Sequence, residues 1–521
     1  MSGKLVKNTA VVGGMTLVSR GLGLVRDIVL ARFGVGPAMD AFFVAFKIPN
    51  FMRRLFAEGA FSQAFVPVLM EYRTQRDPAE TQALVDRVAG TFLGVLSLIT
   101  LVGVLASPLI VLIFAPGFLD EPQKYDLTAH MLRYTFPYLM FMSLVAFAAG
   151  VLNSYGKFGA AAFTPVWLNV VLIGMALFIC PQLDEPMLGL AWGVLLAGFV
   201  QLLFLLPALW SIRLLPRPRW GLRDPGVRKI MRLMVPGIIG SSVAQINLLF
   251  DTLLASFLIT GSVSWLYFAD RLVEFPLGIF GIALATVILP LLSRQHAAGE
   301  AAVFSRTLDS GLRWVVLIAV PAMVGLMLLA QPMITTLFQY DGFAEQDVRM
   351  ASLALVAYAA GLPGFMLVKI LAPAFYSRQD TKTPVKIAVR AMIANMILNV
   401  IFVLPMVFMD VSGAHAGLAL ATSMASFLNA LWLYRRLKVD AVYQPGAGWQ
   451  RLLLQLLVAT AVMAIVLLYG IPPLTDWLQM PASSRIFNLL LWVTMGIVCY
   501  LATLRLVGLK LSVFWSPTRS A

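Results

Sequence analysis

Residues 40–67, DAFFVAFKIPNFMRRLFAEGAFSQAFVP, place charged side chains at regular intervals inside an apolar run long enough to cross a membrane. Most of the charges repeat every seven residues, which is about two helical turns, so they form one stripe along a helix. The stripe contains Asp40, Lys47, Arg54 and Glu58, with Arg53 beside it. A charge near mid-membrane costs at least ~2.5–3.5 kcal/mol, so such side chains normally face a cavity or a partner. The stretch therefore predicts a membrane-spanning helix with a functional polar face.

The rest of the chain has the composition of a polytopic membrane protein. Of its 521 residues, 60% are hydrophobic and 12% are charged, with a mean hydropathy of +0.86, whereas a soluble chain carries about 25% charged residues. Apolar runs of roughly twenty residues recur along the whole length. We predict an all-α membrane protein with about fourteen spans, centred near residues 21, 55, 100, 140, 171, 200, 245, 280, 322, 360, 396, 424, 460 and 495.

Basic residues mark one side of the membrane. If the N-terminus is inside, the inside connections hold nearly all loop Lys and Arg, and the outside connections hold little beyond Lys124, Arg349 and Arg485. This distribution obeys the positive-inside rule and predicts that both termini are cytoplasmic. The net charge of +14 is thus mostly a topology signal, which argues against nucleic acid as a partner. The N-terminal apolar segment contains Arg20 and Arg26, so we interpret it as a retained first span and not as a signal peptide.

The chain contains a weak copy of itself, offset by about 220 residues. The stretch 40–67 has a counterpart in 265–290, and Thr164-Pro165-Val166 is echoed by Thr383-Pro384-Val385. Two parallel lobes with a cargo site between them are typical of transporters that alternate access, although a channel or a membrane enzyme could use the same scaffold. We predict two six-helix lobes and two additional C-terminal helices. The predicted boundaries are an N-lobe over 1–218, a C-lobe over 219–440, and the last two spans with a cytoplasmic tail over 441–521.

Charged residues also lie in the first and eighth predicted spans. Two interpretations remain open: the acids could neutralise the bases in interior salt bridges, or the arginines could line a cationic cavity and grip phosphate oxygens in a bidentate manner. Bases and acids nearly balance, so charge alone does not decide, but their corresponding positions in both lobes favour the cavity. The residues are Arg20, Arg26 and Asp27 in the first span and Asp270, Arg271 and Glu274 in the eighth, with Arg271 and Glu274 spaced to pair.

A fainter group of polar residues could form a cation site. Asp251 lies in the seventh predicted span, Asn395 and Asn399 share a face of the eleventh, and Thr422 and Ser426 share a face of the twelfth. Carboxylate, amide and hydroxyl oxygens suit a small cation such as sodium. The alternative is hydrogen bonding between helices, which is common for Asn and Ser in membrane bundles.

Other kinds of chemistry have no support in the sequence. Cys180 and Cys499 both lie in apolar runs, where free thiols pack as small hydrophobic groups. The three histidines are scattered, without metal-ligand spacing to a cysteine or an acid. No glycine-rich phosphate loop indicates ATP use, and no cluster of catalytic acids or histidines indicates an enzyme. We therefore expect a transporter without a bound cofactor.

Several sequence blocks resemble the MurJ (MviN) family, in its proteobacterial form. They are Ser19-Arg20 with Arg26-Asp27, residues 40–67, residues 269–276 (ADRLVEFP) and residues 375–386 (FYSRQDTKTPVK). The resemblance runs from about residue 8 to the last span. It implies a member of the multidrug/oligosaccharidyl-lipid/polysaccharide (MOP) exporter superfamily that flips lipid II from the cytoplasmic to the periplasmic leaflet for peptidoglycan synthesis. It also implies that Arg20, Arg26, Arg53 and Arg271 are cavity arginines, that Asp40 and Glu274 occupy family positions, and that the last two spans form a groove for the polyprenyl tail.

We therefore expect a lipid II flippase of the bacterial inner membrane that works by alternating access. The expected cargo-binding residues are Arg20, Arg26, Asp40, Lys47, Arg53, Arg54, Glu58, Arg271 and Glu274. The membrane potential is the expected driving force, with Na+ or H+ as candidate coupling ions, and membrane lipids and the peptidoglycan synthesis machinery are candidate partners. The alternatives are a flippase for another polyprenyl-linked oligosaccharide, a cation-coupled drug exporter, and a membrane enzyme that acts on the polyprenyl carrier.

Overall fold

A computed structural model describes residues 3–55 and 61–509 and shows only helices and their connections over these ranges. The all-α prediction is therefore confirmed. Glu58, which was predicted to line the cargo site, lies outside the described residues. The chain divides into two compact units, Met1–Ser264 and Trp265–Ala521.

Half of the described helices of the first unit begin at a proline, whose fixed φ and missing N–H suit the first helical turn. This holds for Pro37, Pro78, Pro122, Pro186 and Pro225. The helices are α1 (Gly3–Ala31), α2 (Pro37–Arg53), α3 (Ser62–Gln75), α4 (Pro78–Leu105), α5 (Ser107–Phe114), α6 (Pro122–Thr135), α7 (Tyr138–Ser154), α8 (Phe158–Gly174), α9 (Pro186–Ser211) and α10 (Pro225–Ser256).

Three packing groups organise the first unit. Helix α1 lies along α8, and both α7 and α8 pack on α9. Helix α2 packs against α6 and α9, which buries nearly the whole of its first three turns. Helix α10 packs on α3 and on the connection Pro116–Asp120. The two charge-bearing helices α1 and α2 therefore both pack on other helices of the first unit.

The second unit contains the remaining helices. These are α11 (Ser262–Pro276), which starts at the end of the first unit, α12 (Ile282–Ala297), α13 (Ala301–Leu328), α14 (Ala330–Phe338), α15 (Glu345–Ala360), α16 (Leu362–Tyr376), α17 (Lys382–Phe408), α18 (Ala414–Val439), α19 (Trp449–Gly470), α20 (Leu474–Gln479) and α21 (Ala482–Leu506). A π-helical turn, Leu277–Gly281, separates α11 from α12.

Helix α18 is the centre of this unit, since α15, α16 and α17 all pack on it. The approach of α16 is close because Gly364 has no side chain: a Cβ there would lie 2.3 Å from the hydroxyl oxygen of Ser426. Helix α13 joins this group to α19 and α21, whose shared apolar core includes Leu456 of α19 and Leu504 of α21.

Ten helical segments in the described ranges are long and apolar enough to cross a membrane, and each contains one of the predicted span centres. The other four centres, 21, 55, 245 and 280, fall on α1, immediately after α2, on α10, and in the π-helical turn before α12. The number fourteen remains a prediction, as do the lobe boundaries at 218/219 and 440/441.

Candidate functional site

In the first unit, Arg26 lies at the contact between α1 and α8. Only 7% of its surface is exposed. Its Nε and Nη2 donate to the same oxygen of Asp27, at 3.0 and 2.7 Å, and its Nη1 donates to Oδ1 of Asn169 at 3.0 Å. Asn169 in turn donates to the backbone carbonyl of Ser19 at 3.0 Å. The Arg26 guanidinium is therefore held in one orientation by Asp27 on its own helix and by Asn169 on α8, which packs against it.

Arg20 lies about two helical turns before Asp27 on the same helix and is half-buried. On α2, Lys47 and Arg53 are half-buried, and Arg54, at the helix end, is exposed. The Nε of Arg53 donates to Oδ1 of Asn50 at 3.3 Å. The cationic residues of the predicted stripe are therefore in partly open positions, where they could contact a ligand.

In the second unit, Arg271 and Glu274 form the predicted pair, with Nη1 and Oε2 separated by 2.8 Å. Both side chains remain partly exposed, at 31% and 43%, so the pair does not seal either group from solvent or a ligand. The Arg271 guanidinium also lies 4.9 Å from the ring centroid of Tyr267, where a cation–π contact orients it. Asp270, on the same turn, is exposed.

Asp40 occupies a different environment from the arginines, because its side chain is almost fully buried, with 1% exposed. Oδ1 accepts hydrogen bonds from the amide and hydroxyl of Ser264, at 3.0 and 2.6 Å, and Oδ2 accepts one from the amide of Gly261 at 2.7 Å. Lys124 Nζ lies 3.4 Å from Oδ2. Gly261 has φ of 101°, a conformation that favours glycine. Asp40 thus fastens the start of α11 to the start of α2.

The network continues on the far side of Lys124. Nζ donates to the Thr260 hydroxyl at 3.0 Å and pairs with Glu121 Oε1 at 3.4 Å, and the Thr260 hydroxyl donates to the same Glu121 oxygen at 2.6 Å. The bond from Thr260, helped by the charge of Lys124, lowers the pKa of Glu121 below its usual range. Nearby, the amide of Gly117 donates to Ser256 Oγ at 3.0 Å.

Lys124 was not among the predicted site residues. It stood out only as one of three basic residues on predicted outside connections, and the structure explains all three. Lys124 and Arg485 are buried, with 2% and 7% exposed, and Arg485 donates to backbone carbonyls of Trp477 and Leu478. Arg349 forms an ion pair with Glu345 at 2.6 Å. The sequence signal that pointed to the buried network was therefore Lys124, a basic residue on a connection that the positive-inside rule predicts to be poor in Lys and Arg.

The candidate cation-site residues lie in both units. Asp251, on α10, accepts a hydrogen bond from Asn247 at 3.4 Å. Asn395 and Asn399 are buried on α17, and the Thr422 hydroxyl donates to the Leu418 carbonyl within α18 at 3.1 Å. The Ser426 hydroxyl donates to the carbonyl of Ser423 within α18 at 2.7 Å and lies 3.2 Å from the carbonyl of Gly361, which precedes α16. Among the described residues, no cluster of three or more His, Cys, Asp or Glu could hold a metal ion.

Comparison with known proteins identifies the family. Residues 29–485 match the family model described as lipid II flippase MurJ. A protein from Vibrio cholerae named probable lipid II flippase MurJ is 48% identical over 519 residues, covering 98% of both chains. A Burkholderia cenocepacia protein named lipid II flippase MurJ is 41% identical over 510 residues, covering 96% of this chain and 97% of the relative.

Solved structures show the same fold. A structure of lipid II flippase MurJ in an inward closed conformation aligns with a TM-score of 0.78 at 26% identity, covering 94% of this chain and 97% of the other. An inward-facing multidrug MATE transporter of the MOP superfamily aligns with a TM-score of 0.66 at 15% identity, covering 81% and 94%. The second similarity concerns the fold alone.

Proposed function

Because the chain belongs to the MurJ family of lipid II flippases, a family of membrane transporters and not of ATPases, we propose that it moves lipid II from the cytoplasmic to the periplasmic leaflet of the bacterial inner membrane. The cargo carries a pyrophosphate and peptide carboxylates, a large polar head, and a polyprenyl tail that never leaves the lipid. A cationic cavity that opens sideways to the membrane suits such a cargo. Arg20, Arg26, Arg53 and Arg271 are its proposed ligands.

The observation that carries this proposal is the way in which acids hold the arginines. Arg26 is fixed by Asp27 and Asn169, and Arg271 by Glu274 and the Tyr267 ring. A guanidinium offers five N–H donors in a rigid fork, so an acid that binds one edge orients the group toward a second anion. The salt-bridge and cargo-site interpretations are then compatible, since the acids position the bases. Lys47 and Arg54 extend the same cationic surface along α2.

We assign Asp40 a conformational role and not direct contact with cargo. Its oxygens accept from Ser264 and Gly261 and lie beside Lys124. In the predicted orientation this network is on the outer side of the membrane and joins segments that belong to different sequence repeats. We propose that this network fixes the start of α11 to the start of α2 within the first unit.

The membrane potential is the proposed driving force. With both termini in the cytoplasm, outward movement of an anionic cargo follows an inside-negative potential, which supplies ~2.3 kcal/mol per charge per 100 mV. Na+ or H+ could reset the carrier through Asp251, Asn395, Asn399 and Thr422, whose oxygens suit a small cation. The polyprenyl tail would lie along the lipid-facing surface of α19 and α21. The peptidoglycan synthesis machinery would receive the flipped product.

Transport in proteoliposomes tests the proposal. Purified protein should flip lipid II faster when a potassium diffusion potential draws anions in the transport direction, and the rate should fall when the potential is reversed. Flipping rates that depend neither on the voltage nor on any cation gradient would refute the proposal that the membrane potential drives transport. Another polyprenyl-linked oligosaccharide is the competing cargo. Equal rates for lipid II and for an O-antigen-type lipid would favour that broader function.

A further inference from the structure

The second unit contains an apolar cavity of about 530 Å³ that the transport proposal does not use. It lies where α13, α16, α18 and α19 meet, beneath the connection from α18 to α19. Its walls include Leu312, Leu371, Ala430, Tyr443 and Trp449. Three other lining residues, Phe427, Leu431 and Leu453, are 40–47% exposed and form its mouth.

The polar atoms of the two aromatic residues in the roof are already used. The Tyr443 hydroxyl and the Trp449 indole N–H both donate to Oδ1 of Asp309, at 2.6 and 2.7 Å. The amide of Gly446, also in the roof, donates to the same oxygen. A water molecule needs two to four polar partners, which an apolar wall does not supply. The cavity is therefore suited to hydrocarbon.

A basic side chain, Arg435, lies on the same face of α18 as two residues of the cavity mouth. Phe427, Leu431 and Arg435 follow each other at intervals of four residues on α18, so they share one face. The first two are apolar and exposed, and Arg435 is an exposed base near the end of the helix. A lipid beside this stripe would have its chain at the cavity mouth and its phosphate near Arg435.

We propose that this cavity binds one acyl chain of a glycerophospholipid. The cavity offers room for a hydrocarbon chain that enters through its mouth, and the exposed Arg435 complements the phosphate of the same lipid. The driving force is dispersion, because atoms that line a void lose contacts which an inserted chain restores.

Photo-crosslinking tests the site. The full chain is placed in nanodiscs that contain a phosphatidylethanolamine with a diazirine in one acyl chain, irradiated, and mapped by peptide mass spectrometry. Label should be enriched on the segment 427–434 relative to other lipid-facing helices. Leu453→Trp should block the mouth and reduce this label several-fold, and Leu454→Trp should not, since Leu454 is 64% exposed and does not line the cavity.

Two outcomes would overturn the inference. The first is label spread evenly over the lipid-facing helices, or label on 427–434 that Leu453→Trp does not reduce. The second is preferential labelling of the cavity by a photoreactive polyprenyl phosphate in the presence of excess phospholipid, which would assign the cavity to the cargo tail. Thermal unfolding of both variants in detergent checks that each is folded, and Ala430→Phe provides a second way to fill the cavity.

Discussion

At the residue scale, the buried charges of the first unit are held by partners whose positions the sequence reveals only in part. Arg26 and Asp27 are adjacent in the sequence, a spacing at which side chains on a helix do not face each other, so their contact was not predicted. The third partner, Asn169, is 143 residues away and depends on the packing of α1 against α8. The contact of Asp40 with Ser264 could not be predicted for the same reason, because the two residues are also far apart in the sequence. Local spacing predicts pairs within a helix, whereas pairs between helices require the fold.

Removing the acid beside Arg26 should be costly. Asp27→Ala leaves a buried guanidinium without its counter-ion, and breaking a buried pair in this way costs about 3–5 kcal/mol. The variant should unfold at a clearly lower temperature in detergent than the wild type. Arg76→Ala, which breaks an exposed pair with Glu80, is the matched control and should leave the unfolding temperature nearly unchanged. Equal effects of the two substitutions would contradict the proposed role of Asp27.

The Glu121 network should respond to acid. Since the Thr260 hydroxyl lowers the pKa of Glu121 in the folded protein, this bond contributes stability above the unfolded-state pKa and loses it as the pH falls through the folded-state pKa. Thr260→Val should therefore lower Tm most at neutral pH. The difference in Tm from the wild type should shrink as the pH falls below about 4.5. A difference that stays constant from pH 7 to pH 3 would show that Glu121 is not involved.

At the element scale, the connection between α18 and α19 is fastened to α13 by Ser305, Arg313 and, with most of the bonds, Asp309. Asp309 of α13 accepts from Tyr443, Gly446 and Trp449, and Arg313 pairs with it at 2.7 Å. Burial and the bond to Asp309 raise the pKa of Tyr443 far above its usual range, so its hydroxyl remains a donor at every physiological pH. A break between the two helices was predictable from Pro445 and Gly446. The attachment of the connection to α13 was not, because the acid lies 134 residues away from Tyr443.

Neutralising this acid should loosen the connection. Asp309→Asn exchanges charge-assisted hydrogen bonds for neutral ones, and a bond to a charged group contributes about 1.5–3 kcal/mol. Hydrogen exchange should accelerate at the amide of Gly446, which donates to Asp309. Arg436→Ala, which breaks only the exposed pair of α18 with Asp440, should leave that rate unchanged. Unchanged protection of Gly446 in Asp309→Asn would contradict the role assigned to the clamp.

At the scale of the whole molecule, the all-helical membrane architecture and the family were both predictable from the sequence. Ten of the predicted span centres lie in helical segments that can cross a membrane. The other four centres lie near Arg20, Leu55, Gln245 and Phe280.

Complementation of cells depleted of their lipid II flippase tests the central claim most directly. The wild-type chain should restore growth and the outward appearance of lipid II. Arg20→Ala, Arg26→Ala and Arg271→Ala should fail although each protein reaches the membrane. Arg505→Ala, in the last turn of α21, should rescue as the wild type does. Full rescue by all three cavity variants at equal expression would contradict the claim that these arginines grip the cargo.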